Sequence, residues 1–514
     1  MRGPGAAPLL DIGGLWCSRR RGRIEGKMSD HSDEEQASLL PKQDSSSSAT
    51  AQNKRTLFVQ WAIAAIDGAD GKTLTALFGA LENTFGFGPA ELGSLVFGQS
   101  IALALSAPIW ALLADTSRNR VQLLSFGCAL WGIWTALMAG ATGFYSMLFL
   151  RILTGAALSS LTPISQSIVA DIVEPASRGR HFGYIGGFSS MGSVVGGVLA
   201  TSFGGLYFFG HSIAGWRLVL IGMALSSLLL AFFAPSLATD PRSSSSSVEV
   251  GPTVATAREG ASLALSKAKK AFAIPTFLLI VLQGLFGLVP WNAMSFYTLW
   301  LQLIGLSDAA SGAIVGCQAF GVCFGNVIGG ILGDYAASRS PDTGRIRVAQ
   351  TSVLLGTFLQ PIILFVVPWH ADYTLVWDAG YTLLFALLFF LQGLVCSWCL
   401  AGTNRPIFSE LVPSANRASL LSWCLAWEGV SAACFGAPVV GLLAERYFGY
   451  EPSRPGEPFA RLNRLVRAAN ARALGSAMCW MTVVPWLVCF CIYSTIGWTY
   501  PRDRDRAREE GHEQ

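Results

Sequence analysis

The segment ADIVEPASRGR (residues 170–180) has a second copy 239 positions later, SELVPSANRAS (residues 409–419). In each copy an aliphatic residue, a valine and a proline stand between an acid and the arginine seven residues after it, in the pairs Asp171–Arg178 and Glu410–Arg417. So close a repeat indicates that the chain contains two copies of one structural unit.

A second repeated motif supports this interpretation. ALLADTSRNR (residues 111–120) and GGILGDYAASRSPDTGR (residues 329–345) each place an aspartate before arginines, namely Asp115 before Arg118 and Arg120, and Asp334 before Arg339 and Arg345. The two motifs occur in the same order in both parts of the chain. The unit therefore includes both motifs and the sequence between them.

The composition predicts a polytopic membrane protein. Of the 514 residues, 52% are hydrophobic and only 13% are charged, with a mean hydropathy of +0.46. Soluble domains have roughly 25% charged residues. The net charge of +4 is small and the basic residues lie in short loops, which fits membrane topology and gives no indication of nucleic-acid binding.

Apolar segments divide the chain into two sets of six. A bilayer-spanning helix needs about 20 mostly apolar residues, and the candidate spans are 57–81, 92–114, 121–140, 146–169, 182–203, 216–235, 273–303, 311–333, 347–368, 380–404, 419–444 and 476–499. The sequence thus predicts an all-α protein with twelve transmembrane helices in two halves. The predicted parts are a disordered cytosolic tail (1–56), two six-helix halves (57–235 and 273–500), a flexible serine-rich linker (236–272) and a cytosolic tail (501–514).

Loop charges predict the orientation. Lysine and arginine occur in the loops after the even-numbered spans, whereas the first five loops on the opposite side contain neither. By the positive-inside rule both termini are cytosolic. One loop disagrees, because residues 445–475 contain six arginines but are placed outside by the twelve-span count.

The N-terminal tail contains a possible targeting signal. Residues 1–56 contain no apolar core of the kind that a cleaved signal peptide needs, so we expect span 1 to anchor the chain, which starts at Met1 or at Met28. The sequence EEQASLLP resembles an acidic dileucine signal read by clathrin adaptors, formed by Glu35, Leu39 and Leu40. Such a signal implies an endosomal, lysosomal or vacuolar membrane, with the plasma membrane as the alternative.

The repeated motifs resemble those of the major facilitator superfamily, whose halves are parallel repeats around a central substrate path. In the loop after span 2, Asp115 and Arg120 match the family motif, while Ala111 and Thr116 depart from it. Span 4 contains the family motif Arg-x-x-x-Gly at Arg151 and Gly155. The family sequence GWR occurs at residues 215–217, where span 6 begins. The resemblance covers residues 57–500 and implies a twelve-helix transporter.

Within that superfamily, RILTGAALSSLTPISQSIVAD (residues 151–171) resembles Spinster-like proteins and the plant unfertilized-embryo-sac branch. Leu158 stands where Spinster proteins have a glutamate, as it does in the plant-like branch. The resemblance implies transport of a small organic or lipid-like solute.

Charged residues at membrane depth are candidates for function, because each costs about 2.5–3.5 kcal/mol to insert. Span 1 contains Asp67, Asp70 and Lys72. Arg151 enters span 4 from the other side and reaches a depth similar to that of Asp70, so we expect these two to pair, with Asp67 one turn below.

Two interpretations of this pair remain open. In one, Asp67 or Asp70 binds a proton or a cationic substrate group and loses its arginine partner, since charge partners alter the proton affinity of a buried carboxyl. In the other, the pair is a static link beside a kink at Gly68 and Gly71. Lys72 either neutralises one of these acids or contacts an anionic headgroup.

Other polar residues are candidates for the substrate cavity. Glu428 in span 11 is either a second titrating or cation-binding site or a hydrogen-bonded link between helices. If the substrate is a polar solute, Gln166, Asn292 and Gln392 should converge on it. A lipid-like substrate instead predicts an apolar cavity that opens laterally.

The repeated motifs also predict a gate at the cytosolic face. Ion pairs there can hold the halves together and break when the cavity opens inward, a conformational equilibrium that substrate shifts. The members are the acids Asp115, Asp171, Asp334 and Glu410 and the arginines Arg118, Arg120, Arg178, Arg339 and Arg417. The alternative is that the arginines only set topology.

The sequence contains no nucleophile–base set, phosphate loop or His/Cys cluster with metal-ligand spacing, and its five histidines are scattered. We therefore expect neither enzymatic activity nor a cofactor. The function that the sequence favours is secondary active transport by alternating access, with the proton as coupling ion. The alternative is a transporter-like protein that senses a ligand or serves as a scaffold.

Overall fold

The computed structural model describes residues 43–117, 119–173, 178–208, 213–241, 272–370, 379–412, 414–456 and 462–512. The chain forms two compact units, residues 1–51 and 52–514. Apart from the first turns of helix 1, the helices described below belong to the second unit.

The first six helices overlap the first six predicted spans, and all except helix 3 extend beyond their spans at both ends. Helices 1 and 4 are interrupted, at Leu77 and at Ser159–Ser160. The bounds are Gln43–Ala76 and Phe78–Phe85 (helix 1), Pro89–Thr116 (helix 2), Arg120–Met138 (helix 3), Phe144–Leu158 and Leu161–Ile172 (helix 4), Arg178–Gly204 (helix 5) and Gly215–Leu237 (helix 6). Two short antiparallel strands, Tyr207–Phe208 and Ile213–Ala214, lie between helices 5 and 6 and pair Tyr207 with Ala214.

The other six helices are more often interrupted. They are Pro275–Gly287, Val289–Ala293 and Tyr297–Leu303 (helix 7), Asp308–Arg339 (helix 8), Gly344–Pro361 and Val367–His370 (helix 9), Ala379–Cys396 and Arg405–Leu411 (helix 10), Ser414–Phe435 and Ala437–Arg446 (helix 11) and Arg464–His512 (helix 12). A 3₁₀ turn at Met294–Phe296 and π-helical turns at Ile362–Val366 and Leu400–Asn404 fill the interruptions. Pro361 directly precedes one π turn, where a proline removes a backbone donor.

Within the described residues, ten helices are long and apolar enough to cross a membrane. Helices 1 and 5 are not among them, because helix 1 contains Asp67, Asp70 and Lys72 and helix 5 is rich in glycine and serine. The least apolar helices are thus the ones expected to be sheltered from lipid. We call the end of the bundle with the four repeated motifs the repeat end, and the opposite end the far end.

Helices 8 and 10 are in backbone contact along a row of glycines. Gly321, Gly325, Gly329 and Gly333 recur every fourth residue and face the backbone of residues 390–402. A Cβ atom at any of them would overlap that backbone, as in small-residue helix contacts of other membrane proteins.

Helices 1 and 5 approach each other in the same way. A Cβ atom on Gly192 would overlap the carbonyl of Ala65, and one on Gly196 would overlap Ala69. The glycine pattern of helix 5 also includes Gly183 and Gly187, but nothing lies within 4 Å of a Cβ atom at either. Only the second half of the glycine pattern therefore supports close packing.

Replacing Gly192 by valine should push helix 5 away from helix 1 and destabilise the protein. Overpacking of a tight contact costs about 1–3 kcal/mol. Gly187→Val is the matched control, because the same side chain there enters open space. Thermal unfolding in detergent would measure both, and equal losses for the two variants would contradict the observed packing.

Candidate functional site

A buried ion pair lies between helices 1 and 4. Nη1 of Arg151 is 3.6 Å from Oδ2 of Asp70, and both side chains are at most 3% exposed. Gln99 of helix 2 and Trp131 of helix 3 each donate a hydrogen bond to the Asp70 carboxylate at 3.3 Å. Four helices thus meet at one carboxylate. Nε of Arg151 is buried and has no hydrogen-bond partner among the described residues.

Asp67 and Lys72 take different positions around this pair. Asp67 is half-buried, one turn below Asp70. Lys72 points to another side of helix 1, into a narrow cleft shared with Ser193 of helix 5 and Thr298 of helix 7. No salt bridge within the described ranges joins Lys72 to Asp67 or Asp70. In this conformation Lys72 lines that cleft instead of pairing with a helix 1 acid, and contact with an anionic headgroup stays a prediction.

The second half of the chain has a neutral network in the corresponding place. The hydroxyl of Tyr297 lies 2.6 Å from Oε1 of Gln360 and 2.9 Å from Oε1 of Gln392. Gln318 donates to Gln392 at 3.0 Å. Helices 7 to 10 are joined here as helices 1 to 4 are joined at Asp70, but by a phenol and three amides.

The spacing of the repeats explains this correspondence. Gln99 and Gln318 are 219 positions apart, and so are Asp115 and Asp334 of the repeated motif. This spacing was a signal in the sequence that could have identified Gln99 and Gln318 as equivalent residues. The first half therefore carries a salt bridge where the second half has only neutral hydrogen-bonding groups.

The residues expected to surround a polar solute do not form a cluster. Gln392 is fully buried within the neutral network, whereas Gln166 on helix 4 is exposed. Asn292 packs against Gly436. No hydrogen bond in the described part of the chain joins Gln166, Asn292 and Gln392, because each lies on a different helix with other neighbours. The convergence that a polar solute predicts is therefore not observed among the described residues.

Glu428 contacts helix 7 directly. Its carboxylate lies against Gly284, where a Cβ atom would overlap it, and Ser431 donates to the carbonyl of Leu285 at 2.7 Å. Arg405 on helix 10 is within electrostatic reach of Glu428. Arg405 was not singled out from the sequence, because it lies one residue beyond the predicted span 380–404 and only five residues before Glu410.

At the repeat end, Arg120 is the centre of a buried cluster. It makes two side-chain contacts with the carboxylate of Asp240 at 2.6 and 3.0 Å and one with Asp171 at 2.8 Å, and it donates to Ser167. Arg120 and Asp240 are 0% exposed. The flexible linker predicted for residues 236–272 is therefore wrong at its start, because Asp240 is held by this arginine.

The equivalent cluster of the second half is more exposed. Asp334 pairs with Arg345 at 2.8 Å and is 75% exposed. Arg339 lies over the ring of Tyr335 instead, and Glu410 accepts a hydrogen bond from Tyr500. Every ion pair described at the repeat end lies within one half. Pairs between the halves, which are predicted to break when the cavity opens inward, do not occur among the described ion pairs and stay a prediction.

Some predicted residues cannot be compared with the structure. Arg118 lies outside the described residues, and so do the side chains of three other gate candidates, Asp115, Arg178 and Arg417. The targeting motif also lies outside them, at Glu35, Leu39 and Leu40. Among the residues that are described, no three His, Cys, Asp or Glu side chains lie close enough to hold a metal ion.

The two halves contact each other at the far end. Helix 2 meets helix 11 where Gly93 lies against Ala437, and helix 5 meets helix 8 where Thr201 lies against Gly312. Hydrogen bonds also cross: Glu445 accepts from the backbone of Ala90 at 2.8 Å. The described contacts between the halves thus concentrate at the end opposite the repeated motifs.

A large apolar cavity opens to the side of the bundle between helices 7, 11 and 12. Its volume is about 820 Å³, and its lining includes Phe286, Phe435, Tyr447, Trp480 and Val484. Ser431, one turn after Glu428, also lines it. The cavity is large enough for an apolar chain and lies at the depth of the transmembrane helices.

The sequence matches a family model. The model of the Major Facilitator Superfamily matches residues 61–377. A search of curated proteins finds no match.

Solved structures share the fold. A bacterial homologue of the human lysosomal transporter Spinster has TM-scores of 0.73 in an inward-facing unoccupied state and 0.72 in an inward-facing occupied state, with 19% identity over 88% of this chain and 98% of that chain. The nucleoside transporter NupG has a TM-score of 0.58, with 15% identity over 88% of this chain and 98% of that one. A D-xylose–proton symporter has a TM-score of 0.54, with 15% identity over 84% and 97%.

Proposed function

The chain belongs to the major facilitator superfamily of membrane transporters, and we propose that it is a secondary active transporter that moves a small organic or lipid-like solute by alternating access, coupled to protons. The observation that carries this proposal is the buried pair of Asp70 and Arg151. Charged side chains at membrane depth are costly to insert, so a buried pair there indicates a functional site. Asp67, one turn away, offers a second carboxyl to the same site.

The pattern of contacts between the halves supports an inward-facing conformation. The halves touch at the far end through helices 2 and 11 and through helices 5 and 8, while the ion pairs at the repeat end stay within each half. The repeat end would then be the open, cytosolic end, in agreement with the loop charges. In this state the motif arginines stabilise helix ends within each half. In the outward-facing state they would pair across the halves and close the cytosolic gate.

The lateral cavity supports a lipid-like rather than a polar solute. It is lined mainly by aliphatic and aromatic side chains, whereas Gln166, Asn292 and Gln392 do not gather around a common space. Ser431, one turn after Glu428, would offer a polar contact in its lining. The resemblance to a homologue of a lysosomal transporter and the dileucine motif at Glu35, Leu39 and Leu40 both favour a lysosomal or endosomal membrane with cytosolic termini and adaptor binding.

Flux measurements in proteoliposomes would test the function. The protein is reconstituted with a pH gradient and screened against lysophospholipids and small organic ions. Flux that follows the gradient supports coupled transport and identifies the class of solute. Ligand binding without flux in either direction would instead favour the alternative, a ligand sensor or scaffold with a transporter fold.

A further inference from the structure

A buried carboxylate joins the two halves at the far end. Glu82 lies one residue beyond the predicted span 57–81 and is 0% exposed. Its Oε2 accepts a hydrogen bond from the hydroxyl of Tyr450 at 2.7 Å. Its Oε1 accepts from the backbone and the hydroxyl of Ser453 at 3.1 and 3.0 Å. Glu82 belongs to helix 1, whereas Tyr450 and Ser453 follow helix 11.

The segment of residues 450–456, which contacts Glu82, is held by hydrogen bonds to helix 1 and to helix 12. Gly456 donates its backbone N–H to the carbonyl of Asn83 at 2.8 Å, a second link to helix 1. Asn470 at the start of helix 12 exchanges hydrogen bonds with the backbone of Glu451 at 2.7 and 3.0 Å. The far end can therefore open only if the contacts with Glu82 and Asn83 break.

No described cation compensates the charge of Glu82. The other acids nearby are Glu445, whose carboxylate binds the backbone of Ala90, and Glu91, which caps its own helix at Gly88. The charge of Arg446 interacts with that of Glu445. No lysine or arginine of the described residues forms an ion pair with Glu82. A carboxylate that is buried with neutral donors and another acid close by is costly in its charged form.

We propose that Glu82 is a proton-binding site of the outer gate, taking up a proton from the far side of the membrane when the gate closes and releasing it when the gate opens. This inference rests on the proposed alternating access but not on proton coupling at Asp67 or Asp70. It assigns a role to part of the arginine-rich loop that the positive-inside rule left unexplained.

The direction of the pH effect follows from the burial of Glu82. Burial raises the pKa of Glu82 from its ordinary value to about 7, and Glu445 adds to the increase, against the hydrogen bonds of Tyr450 and Ser453, which lower it. In an open gate the carboxyl faces water and has an ordinary pKa. Protonation therefore favours the closed gate, and this preference is lost as pH rises through about 7.

Spin labels at the far end would report the gate directly. Tyr145 at the start of helix 4 is 83% exposed, and Leu465 at the start of helix 12 is 73% exposed. Both are replaced by cysteine in a chain without its native reactive cysteines, reconstituted in vesicles without substrate. Pulsed spin-resonance distances are then measured from about pH 5.5 to about pH 8.5. We expect a short distance at low pH and a population of longer distances that grows as the pH rises toward about 7 and levels off above it.

Three substitutions decide the outcome. Glu82→Gln is neutral at every pH and should keep the distance short throughout. Glu91→Gln is the matched control and should respond to pH as the wild type does, because the described hydrogen bond of Glu91 stays within its own half. Tyr450→Phe removes a donor that favours the charged form, so its transition should shift to higher pH.

A wild-type distance that does not change with pH, or a Glu82→Gln protein that responds like the wild type, would overturn the proposal. If Glu82→Gln does not fold, an unshifted transition in Tyr450→Phe has the same meaning. Since no substrate is present, failure of proton-driven flux would not affect this result.

Discussion

Replacing Asp70 by asparagine is expected to abolish proton-dependent flux while the protein still reaches the membrane. The change leaves Arg151 buried without a counter-charge, and one of its nitrogens already has no partner. Removing one member of a buried pair costs about 3–5 kcal/mol, so a lower unfolding temperature should accompany the loss of flux. Uptake in proteoliposomes under a pH gradient measures the first effect, and thermal unfolding in detergent measures the second.

Two further variants separate coupling from folding. The double variant Asp70→Asn with Arg151→Gln removes both charges and should recover much of the stability but none of the proton dependence. Tyr297→Phe changes the equivalent neutral network and should cost about 1–3 kcal/mol of stability while proton dependence persists. Unchanged proton-driven flux in a folded Asp70→Asn protein would show that the pair is a static link.

Replacing Arg120 by alanine should have the largest effect on stability at the repeat end. Arg120 and Asp240 are both 0% exposed, so the change leaves a buried carboxylate without its cation. We expect a loss of about 3–5 kcal/mol in the free energy of unfolding. Arg120→Lys keeps the charge but not the two-pronged contact, and should fall between the wild type and alanine.

The second half supplies the matched control. Arg345→Ala breaks the equivalent pair, but Asp334 is 75% exposed, and such a pair contributes only about 0–1 kcal/mol. The two alanine variants are compared by thermal unfolding in the same detergent. Similar losses would mean that burial does not distinguish the two clusters.

The repeats were sufficient to predict the architecture. Spacing between the copies of the Asp171 and Asp115 motifs indicates two equivalent halves, and the apolar segments predict the twelve spans that the helices follow. The pairing of Asp70 with Arg151 could also be expected, because depth and sign of charge can be read from position along a helix. These features depend on periodicity or on distance along one helix.

Other contacts could not be predicted, because their partners are far apart in sequence and have no periodic signature. Asp240 stands beside a serine-rich run that is typical of a linker, yet Arg120 holds it 120 residues away. Glu82 and Tyr450 are 368 residues apart and meet only because the halves close at the far end. The gate pairs stay a prediction for a related reason: composition cannot specify which of two conformations a transporter occupies.

Helices 8 and 10 also determine how movement is transmitted. Because the glycine row brings their backbones into contact, we expect helices 8 and 10 to move together as one rigid body. Helix 8 has 32 residues and is therefore about 48 Å long at 1.5 Å per residue. It meets helix 5 near its far end, where Thr201 lies against Gly312. Because this contact lies close to the far end of helix 8, a small rotation of the helix about it displaces the repeat end of the helix by a much larger distance.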